Sequence, residues 1–152
     1  MRSARICLLW ISLLLPGFAS LDADAQSLLP QTAGSKVRFS AMVELPKAYL
    51  SGVCVMVNDD GVLKGSFFNE FGISYMDFSY SLVKDKVKLH SVQSMMDKWY
   101  IRKALRHDLR MLIHQMEKGV GEYENKRRKM TYRFTPLTDD EPENLEENDT
   151  EE

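Results

Sequence analysis

From residue 36 the chain alternates between apolar and polar positions. In "KVRFSAMVEL", Val37, Phe39, Ala41, Val43 and Leu45 take every second place among mostly polar partners. That is the pattern of a half-buried strand, and Pro46 ends it. "YLSGVCVMV" (49–57) is rich in valine and apolar on both faces, and "NDDG" (58–61) supplies a tight turn. "VLKGSFFN" (62–69) returns from that turn, so residues 49–69 form a hairpin. "EFG" turns the chain at 70–72, and "ISYMDFSYSLV" (73–83) sets Met76, Phe78, Tyr80 and Leu82 on one side. "KDK" (84–86) then leads into "VKLHSV" (87–92). Five strands joined by short turns predict an antiparallel meander.

After residue 93 the period changes. Ser94, with Asp97 three residues on, is a capping signature at the head of "MMDKWYIRKALRHDLRMLIHQMEK". Ile101, Leu105, Leu109, Leu112 and Met116 recur at steps of three and four, one stripe of a helix that ends at Gly119. "KRRKMTYRFTPL" (126–137) goes back to alternation, with Met130, Tyr132 and Phe134 as a last strand. The predicted fold is α+β: a curved, half-barrel-like antiparallel β-meander with one long helix packed across it.

The aromatic residues complicate the picture. "GSFFNEFGISYMDFSY" (65–80) holds six of them, and Phe67 and Phe68 are adjacent, so in a strand they point to opposite faces. Two arrangements account for apolar residues on both faces. Either the helix covers one face and the N-terminal segment or a partner covers the other, or the sheet curls round an apolar ligand beneath the helix. In the second case Gly52 and Gly65 ease the curl, and Met42, Met56, Met76, Met95 and Met96 offer an adaptable lining. Met56, Phe67, Met76 and Phe78 are then the expected cavity residues.

The two ends of the chain set its surroundings. "MRSARICLLWISLLLPGFAS" has a basic start, an apolar run and helix breakers, and "ADA" (23–25) follows with small residues. This predicts a signal peptide over 1–25, cut before Gln26. The apolar stretch is shorter than the ~20 residues that span a bilayer. Residues 139–152, "DDEPENLEENDTEE", carry nine acids and no base, a composition that predicts a disordered tail. Residues 26–138 hold eighteen Lys and Arg against eleven Asp and Glu, so a basic single domain is hidden within an overall charge of −2. It is long enough for one core.

Little in this domain points to chemistry. Removal of Cys7 with the signal peptide leaves Cys54 without an internal disulfide partner, in an apolar strand where a small buried side chain is expected. His107 and His114 lie two helical turns apart, too far to chelate one metal. "NDDG" lacks the closing acid of a calcium loop. No nucleophile elbow, P-loop or dinucleotide fingerprint occurs. No enzyme, metal or cofactor is expected. The helix, in contrast, carries Lys98, Arg102, Arg106 and Arg110 at every fourth position, with Lys103 beside them. These basic side chains form either an ordinary solvated face or a surface for anionic headgroups or an acidic partner. Export argues against nucleic acid.

Residues 50–89, "LSGVCVMVNDDGVLKGSFFNEFGISYMDFSYSLVKDKVKL", resemble the LolA/LolB-like lipoprotein carriers of the bacterial envelope. "FFNEFG" (67–72) is similar to that family's apolar strand followed by a "PFG" turn. The resemblance implies a half-barrel closed by helical lid elements, binding lipid or acylated lipoprotein without catalysis or cofactor. Phe68 and Phe71, near the turn, would be lid or membrane-contact residues. The location implied is the periplasm or outer envelope of a Gram-negative bacterium, next to an anionic membrane surface or an envelope protein. A protein-interaction module, with the second sheet face docked on a partner, is the alternative.

Overall fold

Alternation becomes a continuous sheet in the computed structural model, which describes residues 25–138. Residues 1–24 of the expected signal peptide (1–25) and the expected acidic tail (139–152) lie outside the described residues. Seven strands form one antiparallel sheet: β1 (Lys36–Leu45), β2 (Ala48–Asp59), β3 (Val62–Phe68), β4 (Ser74–Ser81), β5 (Lys86–Val92), β6 (Glu122–Asn125) and β7 (Met130–Pro136). Their order is β5-β4-β3-β2-β1-β7-β6, so the last two strands join the sheet beside the first. The helix α1 (Trp99–Glu117) lies nearest to β5 and β6, the two edges of the sheet. The sheet therefore curls round α1 as a half-barrel with the helix across its concave face.

Side-chain alternation sends one set of residues inward. Phe39, Ala41 and Val43 of β1, Cys54 and Met56 of β2, Leu63 and Phe67 of β3, and Tyr132 and Phe134 of β7 are all buried. Leu105, Leu109, Leu112 and Met116 of α1 complete the same core, fully buried as the helical stripe predicts. Ile101, the first residue of that stripe, is only partly buried. On β2 the outward Val53, Val55 and Val57 are half-buried, as is Phe68 opposite Val53.

The turns follow their sequences. Asp60 and Gly61, with φ of 47° and 84°, make the two-residue turn between β2 and β3. At the end of α1, Gly119 (φ 80°) takes the left-handed conformation. Its N–H donates to the Met116 carbonyl and that of Val120 to Gln115, which closes the helix with a Schellman pair.

Three features differ from expectation. The capping signature at Ser94 opens a short 3₁₀ turn (Ser94–Met96) rather than α1, which begins at Trp99 after an extended Lys98. Asp97 bonds Arg102 at 2.8 Å instead of capping the helix. Strand β6 is unannounced, because "EYEN" contains a single apolar residue and four positions are too few to show a period. The two glycines also serve packing more than bending. A Cβ at Gly65 would overlap the ring of Phe78, and one at Gly52 would overlap the Phe68 carbonyl. Register shifts at Phe67/Phe68 and Asp77/Phe78 mark irregularities, and bulges of this kind bend a strand.

Polar ties fix α1 to the sheet. Buried Asp108 accepts hydrogen bonds from the Tyr132 hydroxyl (3.0 Å) and the Asn125 amide (2.7 Å), which joins α1 to β7 and β6. Burial and the adjacent Asp108 carboxylate push the Tyr132 phenol far above its usual range. Asp85, in the β4–β5 turn, accepts from Nε and Nη2 of Arg110, from the Tyr80 hydroxyl (2.9 Å) and lies 2.7 Å from Nε2 of His114.

Candidate ligand groove

The antiparallel chain path gives the half-barrel two unlike ends. At one end lie the β2–β3 and β4–β5 turns, the C-terminus of α1 and residues 26–31. The chain before β1 is packed there. Leu29 and Pro30 are buried, the Leu28 N–H donates to the Met116 carbonyl (2.9 Å), and the Asn58 amide donates to the Pro30 carbonyl (3.0 Å). A cavity of about 250 Å³ remains beside this plug, lined by Leu29, Asn58 and Leu63 among others.

The opposite end collects the β1–β2, β3–β4 and β6–β7 turns, the 3₁₀ turn and the start of α1. There a groove of about 620 Å³ opens to solvent. Leu45 and Ala48 of the β1–β2 hairpin, Met95 and Met96 of the 3₁₀ turn, Ile101 and Ala104 of α1, and Met130 of β7 form its apolar wall. Tyr100 contributes an amphipathic ring, and Lys47, Lys98 and Arg128 bring cationic side chains to the same groove. Among the described residues, no Asp or Glu lines it. The methionines have three rotatable bonds and a polarisable sulfur, which suits a wall that must fit variable apolar groups.

Large apolar side chains stand exposed around this end. Phe71 (79 % exposed) and Ile73 project from the β3–β4 turn, while Tyr49 lies at the start of β2. Met95, Trp99 (77 % exposed) and Tyr100 surround the start of α1, and the Trp99 and Tyr100 rings meet edge to face at 5.9 Å. Residues 126–129, "KRRK", are exposed in the neighbouring β6–β7 turn. Exposed aromatic side chains and the basic turn 126–129 thus share one end of the molecule. Amphipathic rings of this type settle where apolar and aqueous phases meet.

The residues singled out in the sequence are scattered by the fold. Met56, Phe67, Met76 and Phe78 come together, but within the closed core, and none lines either cavity. Their ring and thioether volumes, with the α1 stripe, occupy the concave face, so the expected cavity beneath the helix is filled by the protein itself. Phe68 is half-buried on the outer face, whereas Phe71 is exposed at the groove end. The basic helix face divides in two. Arg102 bonds Asp97 and the Leu89 carbonyl (3.2 Å), and Arg110 bonds Asp85. Lys98, Lys103 and Arg106 stay exposed, and only Lys98 reaches the groove. Buried Cys54 has its thiol pushed far up by desolvation, as expected of a packing residue.

Sequence reasoning missed Lys47, Ala48 and Tyr100. Each is unremarkable in its own segment, and only the convergence of three turns joins them. Met95 and Met96 were the one legible part of this wall. No family of at least three His, Cys, Asp or Glu side chains able to hold a metal occurs among the described residues, and no described helix is long and apolar enough to cross a membrane. No family model, curated protein or solved structure matches the chain.

Proposed function

We propose that the protein is an exported, non-enzymatic carrier or binder of acyl chains, from lipid or lipoprotein, in the cell envelope. This is the role implied by its resemblance to LolA/LolB-like carriers. The apolar groove at the open end carries the proposal, because it offers an accessible apolar wall where the core offers none. Its volume falls within the roughly 300–1,000 Å³ of small-molecule sites. The exposed Phe71, Ile73 and Trp99 would meet a membrane or an acylated partner as the chain is passed on. A partner docked on the second sheet face has less support, since the outward valines of β2 are already half-buried by their neighbours.

Titration with a neutral naphthylamine fluorophore tests the proposal. Wild type should show saturable fluorescence enhancement. Ala48→Trp places an indole in the groove at a strand position that accepts aromatic residues. It should keep the circular dichroism of wild type and weaken binding at least tenfold. Equal binding by a folded Ala48→Trp variant would place the fluorophore elsewhere and count against the groove.

A further inference from the structure

The groove has a charged mouth that acyl-chain binding alone does not require. Lys47 comes from the β1–β2 turn, Lys98 from the residue before α1, and Arg128 from the β6–β7 turn. Three separate elements therefore bring cations to one apolar site. Among the described residues, none of the three side chains makes a salt bridge and no carboxylate lines the groove to neutralise them. Asp97, the acid next to Lys98 in the sequence, is already bonded to Arg102.

Resting on the carrier reading above, we infer that the groove selects an acyl chain with an anionic headgroup, a carboxylate or a phosphate, held by Lys47, Lys98 and Arg128. The wall formed by Leu45, Ala48, Met95, Met96, Ile101 and Met130 takes the chain. The cations at the mouth take the head. A guanidinium offers two parallel donors to either oxyanion, and two ammonium groups add charge with rotatable donors. Tyr100, half-exposed at the same mouth, offers a hydroxyl to the head as well. A neutral head would leave three cations unpaired beside the apolar chain and would gain no charge-assisted bond.

The test uses the whole chain as processed on expression, with laurate, lauryl phosphate and monolauroylglycerol kept below micelle-forming concentrations. The three probes share one chain and differ in the head. Calorimetric titration should show laurate or lauryl phosphate bound roughly tenfold or more tightly than the neutral ester, a difference of about 1.4 kcal/mol. The tighter of the two anions identifies the headgroup. The variant Lys47→Gln/Lys98→Gln/Arg128→Gln should lose that preference, binding the three probes with affinities within about twofold of one another. Rising salt should reduce anion binding by wild type and leave the neutral ester unaffected. Equal affinity for all three probes, or a preference that survives in the variant, would overturn the headgroup assignment while leaving acyl-chain binding intact. Binding of none of the three would instead remove the carrier reading beneath it.

Discussion

Asp85 concentrates more hydrogen bonds than any other carboxylate described, and its environment carries a pH signature. The Arg110 guanidinium, then the Tyr80 hydroxyl and His114, hold its carboxyl well below the usual carboxylate range. A carboxyl with a depressed folded-state pKa contributes stability that is fully present above its unfolded value of about 3.9 and is lost as pH falls through the folded value. Wild type should therefore unfold at higher urea than Asp85→Asn at neutral pH, and the gap should narrow below about pH 4. A gap that widens on acidification would contradict this role for the network. Asp85 itself gave no sign in the sequence, where "KDK" marks only a turn. The same limit applies to Met56, Phe67, Met76 and Phe78. Alternation places them on the inner face, but whether that face meets a ligand or a helix depends on how closely α1 approaches. The fold fills the space.

At the scale of elements, the periods in the sequence translate directly. The strands over β1 to β5 and β7 follow alternation, and the α1 stripe follows a period of three to four, because burial on one face imposes that spacing. Ends are less legible. Ser94 and Asp97 have the residue types of a helix cap, yet a better partner for Asp97 exists in Arg102 one turn on. The start of the domain is the other surprise. Residues 26–31 carry no apolar period that marks them as core, yet Leu29 is 5 % exposed and Leu28 is tied to the end of α1. This short segment acts as a plug for one end of the half-barrel. Leu29→Ala should lower stability by about 2–4 kcal/mol, as expected for truncation of a buried leucine. Urea denaturation monitored by circular dichroism checks it, and a loss below about 0.5 kcal/mol would mean that the segment merely rests on the surface.

For the whole molecule, asymmetry between the ends is the property with functional weight. One end is packed by the N-terminal segment, and the other gathers a groove, exposed aromatic residues and basic turns. Such gathering is illegible in a linear sequence because the groove residues lie between positions 45 and 130 and meet only after the sheet has curled. The most direct test is native mass spectrometry of the protein isolated from an envelope without detergent. The account predicts a stoichiometric adduct that solvent extraction removes, that contains an acyl chain, and that is absent from Ala48→Trp prepared in the same way. Bare wild-type protein, or an adduct retained at equal occupancy by a folded Ala48→Trp, would contradict the groove as the acyl-chain site.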